Sequence, residues 1–439
     1  MKTSRFDTRL GESRSRIVSS ASVKMLLSML SIVAASKANA QNITPIPAVR
    51  PDPSGAISAE RTRAQKIFQA LTAVRVPIDD ARIVQMEALI RQGNLRAAAA
   101  VASKDPLFLD IQIRDTAREM SDRDETVRAP MSDFVATFIG IVRDSDTTSA
   151  KEMLTGNFYY RVDPAIIATL PTNATVRQNE ATDILTSNNH YADIVTRGLS
   201  PQAVLIRQSP QRISQRVNNI ETPVDHPDPA GLMTTRAFTG AHAIAGTNRR
   251  MVEYSFREFM CLPMAEFADA DAPDDRVARD VTRTPSGSVN LYQSSCKACH
   301  GQMDGFRGAF AFLDFTNNAQ RIGTNVVGKM NRNQTEFPQG YVTTDNSVVN
   351  YATLGKNVDQ LGWRSALTGN GMASFGKMMA DSRAFSRCMV RRAFKRVCRR
   401  SPLTQEEQVV RSLADQFEID GYHMRRMFEN VAIQPQCVQ

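Results

Sequence analysis

Residues 289–300 run Val289-Asn290-Leu291-Tyr292-Gln293-Ser294-Ser295-Cys296-Lys297-Ala298-Cys299-His300. The last five form Cys-x-x-Cys-His in a chain that has only 6 cysteines and 5 histidines. Two thiols at this spacing can add across the two vinyl groups of a porphyrin, and the adjoining imidazole then stands where an iron ligand is needed. The pattern therefore reads as a c-type haem attachment site. Cys296 and Cys299 are the candidate covalent anchors and His300 the candidate proximal ligand. Three other readings compete. A thioredoxin-like dithiol would follow a strand in a βαβ unit, whereas residues 289–293 read as a short helix. A tetrahedral zinc site needs four ligands and usually a second pair, and Cys261, Cys388, Cys398 and Cys437 offer no such pair. A disulfide between Cys296 and Cys299 leaves His300 unexplained.

A second iron ligand has one main candidate. Gly369-Asn370-Gly371-Met372-Ala373-Ser374-Phe375-Gly376 lies beyond the motif and resembles the Met-bearing loop of small cytochromes c. A thioether from Met372 would favour reduced iron and raise the potential. The plain alternative is that Met372 packs at the start of a helix with Met378 and Met379, in a chain that holds 19 methionines. Met303 is too close in sequence to His300 to reach the opposite haem face. His190, His226, His242 and His423 are further candidates, and each alone is more often an ordinary core or surface histidine.

Outward from the motif, the first 40 residues read as a secretory signal peptide. A basic stretch runs to Lys24, an apolar run follows from Met25 to Ala35, and Ser36-Lys37-Ala38-Asn39-Ala40 supplies small residues for cutting after Ala40. The apolar run is well short of the roughly 20 residues a membrane-spanning helix requires. Gln41 follows the cut, so no thiol is placed there for a lipid anchor. No later segment approaches 18 uninterrupted apolar residues, and the expectation is a soluble mature chain in the periplasm or outside the cell. The four remaining cysteines fit that oxidising setting.

This reading changes the meaning of the charge. The 439 residues carry a formal net charge of +9, which on its face suggests nucleic acid or a membrane surface as partner. The signal region holds seven basic and two acidic residues, so its removal leaves +4. Much of the remaining basic character sits on one helix, at Arg383, Arg387, Arg391, Arg392, Lys395, Arg396, Arg399 and Arg400. That helix reads first as a solvated face opposite an apolar stripe of Phe385, Met389 and Val397, and second as a docking face for an acidic redox partner or for haem propionates. Nucleic acid is not expected as a partner of an exported chain.

With 42% hydrophobic and 23% charged residues the chain can bury proper cores. Residues 41–58 carry Pro45, Pro47, Pro51 and Pro53 and read as an extended leader. Helical periodicity follows. Ile67, Leu71 and Val74 share a face of a first helix; Ile83, Met86, Leu89 and Ile90 carry a second that Gly93 ends; Leu95 to Val101 make a third. A similar layout closes the chain, with a helix from Ser382 to Arg400, one through Val409 to Phe417, a break at Gly421 and one through Met427 and Val431. These read as two related helical hairpin modules. Between them, Phe134, Val135, Phe138, Ile139, Ile141 and Val142 make a strongly apolar helix, and Phe158-Tyr159-Tyr160 a short extended piece. Cys388 and Cys398 on one helix stand about 15 Å apart at 1.5 Å per residue, beyond disulfide reach. Two pairings remain open: Cys261 with Cys388 and Cys398 with Cys437, or Cys261 with Cys398 and Cys388 with Cys437.

The order Cys261-Leu262-Pro263, an acidic spacer with prolines, Cys296 to His300, Met303-Asp304 and Gly308-Ala309-Phe310-Ala311-Phe312 resembles planctomycete-type cytochrome-like proteins. Asp381 to Phe385 through Arg400 to Thr404 looks like the helical module that ends such proteins. The likeness covers roughly residues 230–436, and more faintly 60–160. It departs at Gly305-Phe306-Arg307, where the family has a proline and a shorter link to its glycine. What the resemblance implies is an exported, mostly helical protein with a c-type haem, and no substrate.

The expected architecture is mainly α, with helical modules flanking a cytochrome c-like haem-binding segment. Its map is a signal peptide (1–40), a leader (41–58), a helical region (59–260), a linker (261–288), the haem-binding region (289–376) and a C-terminal helical module (377–439). The expected function is electron transfer by one haem c, serving a redox partner protein. Competing expectations are a haem enzyme, peroxidase-like or small-ligand-binding, with an open distal site, and a haem-free structural or binding protein of the envelope. No Gly-rich phosphate loop, His-Glu-x-x-His helix or Gly-x-Ser-x-Gly elbow points to nucleotide chemistry or hydrolysis.

Overall fold

The computed structural model describes residues 57–121, 131–169, 185–186, 188–217, 220–243, 248–273, 276, 288–316, 319–322 and 345–438. The expected signal peptide and nearly all of the leader lie outside them. Among the described residues 61% are helical and 9% are in strands, so the chain is mainly α. Residues 57–439 make one compact unit. No helix among the described residues is long and apolar enough to cross a membrane.

Three helices open the unit: α1 (Ala59–Thr72), α2 (Ala81–Arg91) and α3 (Leu95–Ser103). Ser58, Asp80 and Asn94 cap them, each accepting a backbone N–H of the first turn. The first helix stops two residues before Val74, because Ala73 turns into the left-handed region at φ 64° and donates its N–H to the Gln69 carbonyl. After α4 (Arg114–Ser121), helix α5 (Asp133–Arg143) is buried on every side from Asp133 to Val142. Apart from Asp133 and Thr137 its buried residues are apolar, as suits an interior helix. Gly140 is required there, since a Cβ would lie 2.4 Å from the Tyr160 ring. That ring belongs to β1 (Tyr159–Val162), which pairs antiparallel with β2 (Leu205–Gln208).

Further along are the β3 (Arg212–Val217) and β4 (Ile220–Asp225) hairpin, α6 (Arg236–His242) and α7 (Arg249–Phe259). Asp133, at the start of α5, reaches across to accept the N–H groups of Arg236 and Ala237 and so joins α6 to α5. The motif helix is α8 (Lys297–Met303). Two short pairs follow, β5 (Leu313–Thr316) with β6 (Ala319–Ile322) and β7 (Ser347–Val349) with β8 (Thr368–Asn370). The chain closes on α9 (Gly371–Ala380), α10 (Arg383–Val397), α11 (Glu407–Ile419) and α12 (Met424–Ala432).

Helices α10 to α12 and α1 to α3 share several local features. Each set begins at a serine cap, Ser58 or Ser382. In each, the first helix ends near a left-handed residue, Ala73 or Arg399, and a left-handed glycine, Gly93 or Gly421, separates the second helix from the third. All three helices of each set touch one another, and the sets meet where α12 packs on α1 and α3. The Ser103 hydroxyl donates to Glu429 at 2.5 Å, and Phe108 meets Phe428 edge to face at 5.5 Å.

Of the two disulfide pairings left open, the structure has Cys261–Cys388 and Cys398–Cys437, with Cα atoms 5.1 and 4.3 Å apart. Residues 261–272 differ from a simple linker. Met264–Phe267 is helical, and the buried Phe267 ring stacks on Phe256 with centroids 4.5 Å apart.

Candidate haem-attachment site

Residues Tyr292–Cys296 form a wide π-type turn that runs into α8. Such turns recur at functional positions because they shift which side chains face one way. Cys296, the last residue of that turn, and Cys299 and His300 on α8 are spaced i, i+3 and i+4, which on a helix sets them on one face. Both cysteines are unpaired and partly buried, while Cys261, Cys388, Cys398 and Cys437 are in disulfides. Cys299 packs against the core. Burial pushes its thiol up, and the neighbouring Glu253 and Cys296 push the same way. A redox dithiol works through a thiol held low as thiolate; Cys299 is held neutral, and a helix rather than a strand precedes it.

The opposite side of α8 is sealed by residues 269–272. Asp269 donates its N–H to the Ala298 carbonyl at 3.0 Å, and Gln302 donates to the Asp269 carboxylate at 3.3 Å. Gly301 sits so close to this turn that a Cβ would lie 2.5 Å from that of Ala272.

His300 is held from the side by Asp304, one turn further on. Its Nδ1 lies 3.2 Å from Asp304 Oδ1. The Asp304 side chain is fully buried, and Arg249, the first residue of α7, grips it with Nε at 2.8 Å from Oδ1 and Nη2 at 2.9 Å from Oδ2. Burial alone would raise this carboxyl, but hydrogen bonds from His300 and Arg249, with the Arg249 charge, hold it below the usual carboxylate range. An ionised acceptor facing Nδ1 keeps the proton there and leaves the Nε2 lone pair for a ligand. In sequence Asp304 stands out only within the Met303-Asp304 pair of the family resemblance, with no role attached. Its i+4 spacing from His300 was the available signal; Arg249, 55 positions upstream, gave none.

A covalent haem asks the chain for two unpaired thiols at this spacing and one imidazole nitrogen presented by its other nitrogen's hydrogen bond. The residues present fit. Among the described residues no three His, Cys, Asp or Glu side chains converge as a direct metal site, and a haem iron needs only axial donors from the protein.

Met372 is the second residue of α9 and is buried in the core. The N–H groups of Met372 and Ala373 donate to the Asp228 carboxylate at 2.6 and 2.9 Å. Helix α9 is held mainly by residues 152–155 and 307–310, and α8 mainly by α7 and residues 264–267. Beyond the end of α8, the Phe306 and Phe310 rings lie with centroids 5.3 and 5.7 Å from that of Phe375 on α9.

The other histidines are engaged elsewhere. His190 Nε2 accepts the Val162 N–H at 3.0 Å, and burial followed by the Arg161 charge lowers its pKa to about 4. His226 Nδ1 accepts the Asp228 N–H, and burial lowers it to about 3. His423 caps α12 through Nδ1 and meets Asp146 through Nε2 at 2.9 Å. His242 is stacked on Tyr254 with centroids 3.9 Å apart.

The basic helix is not a free cationic face. Arg392 pairs with the buried Glu258 at 2.5 Å, Lys395 and Arg396 pair with Glu119 at 2.8 and 2.7 Å, and Arg391 pairs with Glu407 at 2.6 Å. Its charges tie α10 to α4, α7 and α11. Compared with protein-family models, curated proteins and solved structures, the chain matches none of them.

Proposed function

We propose that this chain is an exported c-type cytochrome that carries one haem c on Cys296 and Cys299, with His300 as proximal ligand, and transfers electrons in the periplasm. The observation that carries the reading is the face of α8. It presents the unpaired Cys296 and Cys299 together with His300, whose Nδ1 meets a buried carboxylate, while every other cysteine is in a disulfide. The likeness to planctomycete-type cytochrome-like proteins and the signal-peptide pattern point the same way. When bound, the haem supplies a one-electron couple. The chain's own part is to offer two unpaired thiols for addition to the vinyl groups, to hold the imidazole proton on Nδ1, and to close the back of α8 against water. Because the charges of α10 are largely taken up inside the molecule, that helix is not proposed as the partner's docking face.

The test is a reduced-minus-oxidised spectrum of the mature chain made in a host with c-type haem maturation, alongside Met372→Ala. A low-spin spectrum with a methionine-to-iron charge-transfer band that disappears in the variant supports electron transfer with Met372 as distal ligand. A high-spin ferric spectrum overturns the electron-transfer role and turns the reading toward a small-ligand-binding haem enzyme.

A further inference from the structure

Asp304 joins two partners of opposite effect. On one side its Oδ1 faces the Nδ1 of His300 at 3.2 Å; on the other Arg249 holds both carboxylate oxygens at 2.8 and 2.9 Å. The Asp304 side chain has no exposed surface and that of Arg249 is 14% exposed, so water and salt screen this triad little. The frame around it is fixed. Asp304 donates its N–H to the His300 carbonyl at 2.9 Å, and Asn248, next to Arg249, donates its side-chain amide to the Arg307 carbonyl at 3.3 Å.

We propose that Asp304 and Arg249 together set the reduction potential of the haem through His300, the carboxylate lowering it and the guanidinium limiting that pull. This rests on the reading that His300 ligates the iron. An acceptor with full negative charge draws on the Nδ1 proton, makes the imidazole a stronger donor and favours ferric iron. Arg249 draws the same carboxylate the other way, so the donor strength of His300 reflects a balance between two named side chains. Asp304 is a positioning residue, since it acts through His300. A purely structural pair would hold α7 against the motif segment without giving opposite electronic effects to its two members.

The experiment is redox titration of the haem-loaded mature chain, with Asp304→Asn and Arg249→Gln, each checked by haem stain and far-ultraviolet circular dichroism. Asparagine keeps the shape and one acceptor oxygen for His300, removes the charge and puts an NH2 group where the second oxygen accepted from Arg249. Asp304→Asn is expected to keep its haem and raise the midpoint, with the ferrous-to-ferric ratio at a fixed potential rising about tenfold, equivalent to ~59 mV for a one-electron couple. Arg249→Gln is expected to move the midpoint downward. Haem-loaded variants with an unchanged midpoint, or two shifts of the same sign, overturn the inference and leave the haem reading standing. Should Asp304→Asn fail to fold, Arg249→Gln decides alone: a downward shift supports the inference and none, or an upward one, ends it. A wild-type chain that takes up no haem ends the underlying reading and this inference with it.

Discussion

The Cys261–Cys388 bridge fastens the segment leading into the motif to the middle of α10, and its removal has a calculable consequence. The bridge spans 127 positions, against 39 for Cys398–Cys437. Closing a loop of that length removes about 16–17 cal/mol/K of chain entropy from the unfolded state, or about 5 kcal/mol at 25 °C; the shorter loop corresponds to about 4 kcal/mol. Against a whole-protein stability of about 5–15 kcal/mol, the first loss is large. The double variant Cys261→Ala with Cys388→Ala should therefore unfold at much lower guanidinium concentration than wild type, and at somewhat lower concentration than Cys398→Ala with Cys437→Ala. Equilibrium unfolding followed by far-ultraviolet circular dichroism measures both, and non-reducing peptide mapping reads the linkage directly. A loss below about 1 kcal/mol for the longer loop, or a peptide joining Cys261 to Cys398, would refute the reasoning.

Two further outcomes follow from packing and protonation. At Gly376 an added Cβ would lie 2.1 Å from the Leu154 carbonyl oxygen. Gly376→Ala must therefore push α9 off residues 152–155, costing about 1–3 kcal/mol; an unchanged melting temperature would count against that close approach. His190 and His226 stay neutral in the fold down to about 4 and about 3, whereas an unfolded histidine takes its proton near 6.5. Acid thus favours the unfolded chain. Stability is complete above pH 6.5 and is lost as pH falls toward the folded values, by roughly 1–2 kcal/mol for each histidine between pH 7 and pH 5. Denaturant midpoints at the two pH values check this, and a flat profile contradicts it.

Much of the helical framework was legible because amphipathic periodicity is local. The faces built on Ile67 and Leu71 and on Ile83 and Met86, and the run from Val409 to Phe417, all correspond to helices, with Gly93 and Gly421 at the breaks. The motif was legible for the same reason, since its three chemical groups lie within five residues. What periodicity does not encode is pairing at a distance. Strand β1 finds its partner more than 40 positions away, in Leu205–Gln208, and the extended reading of residues 158–160 carried no hint of it. The basic helix looked solvated because its acids come from elsewhere: Glu119 meets Arg396 across 277 positions and Glu258 meets Arg392 across 134. Residues 261–272 looked like linker because their composition is acidic, yet Phe267 is core and Asp269 holds α8. At the site, Cys296, Cys299 and His300 stand out in sequence by their spacing, while the Asp304–Arg249 clamp depends on α7 folding against the motif segment.

The central claim is that haem is bound covalently at Cys296 and Cys299. The most direct measurement is denaturing gel electrophoresis of the mature chain with haem-peroxidase staining, after expression in a host that matures c-type cytochromes, run beside Cys296→Ala with Cys299→Ala. The account predicts a stained band at the mature mass that the double variant lacks. An unstained wild-type band, with the protein present and folded, would contradict it.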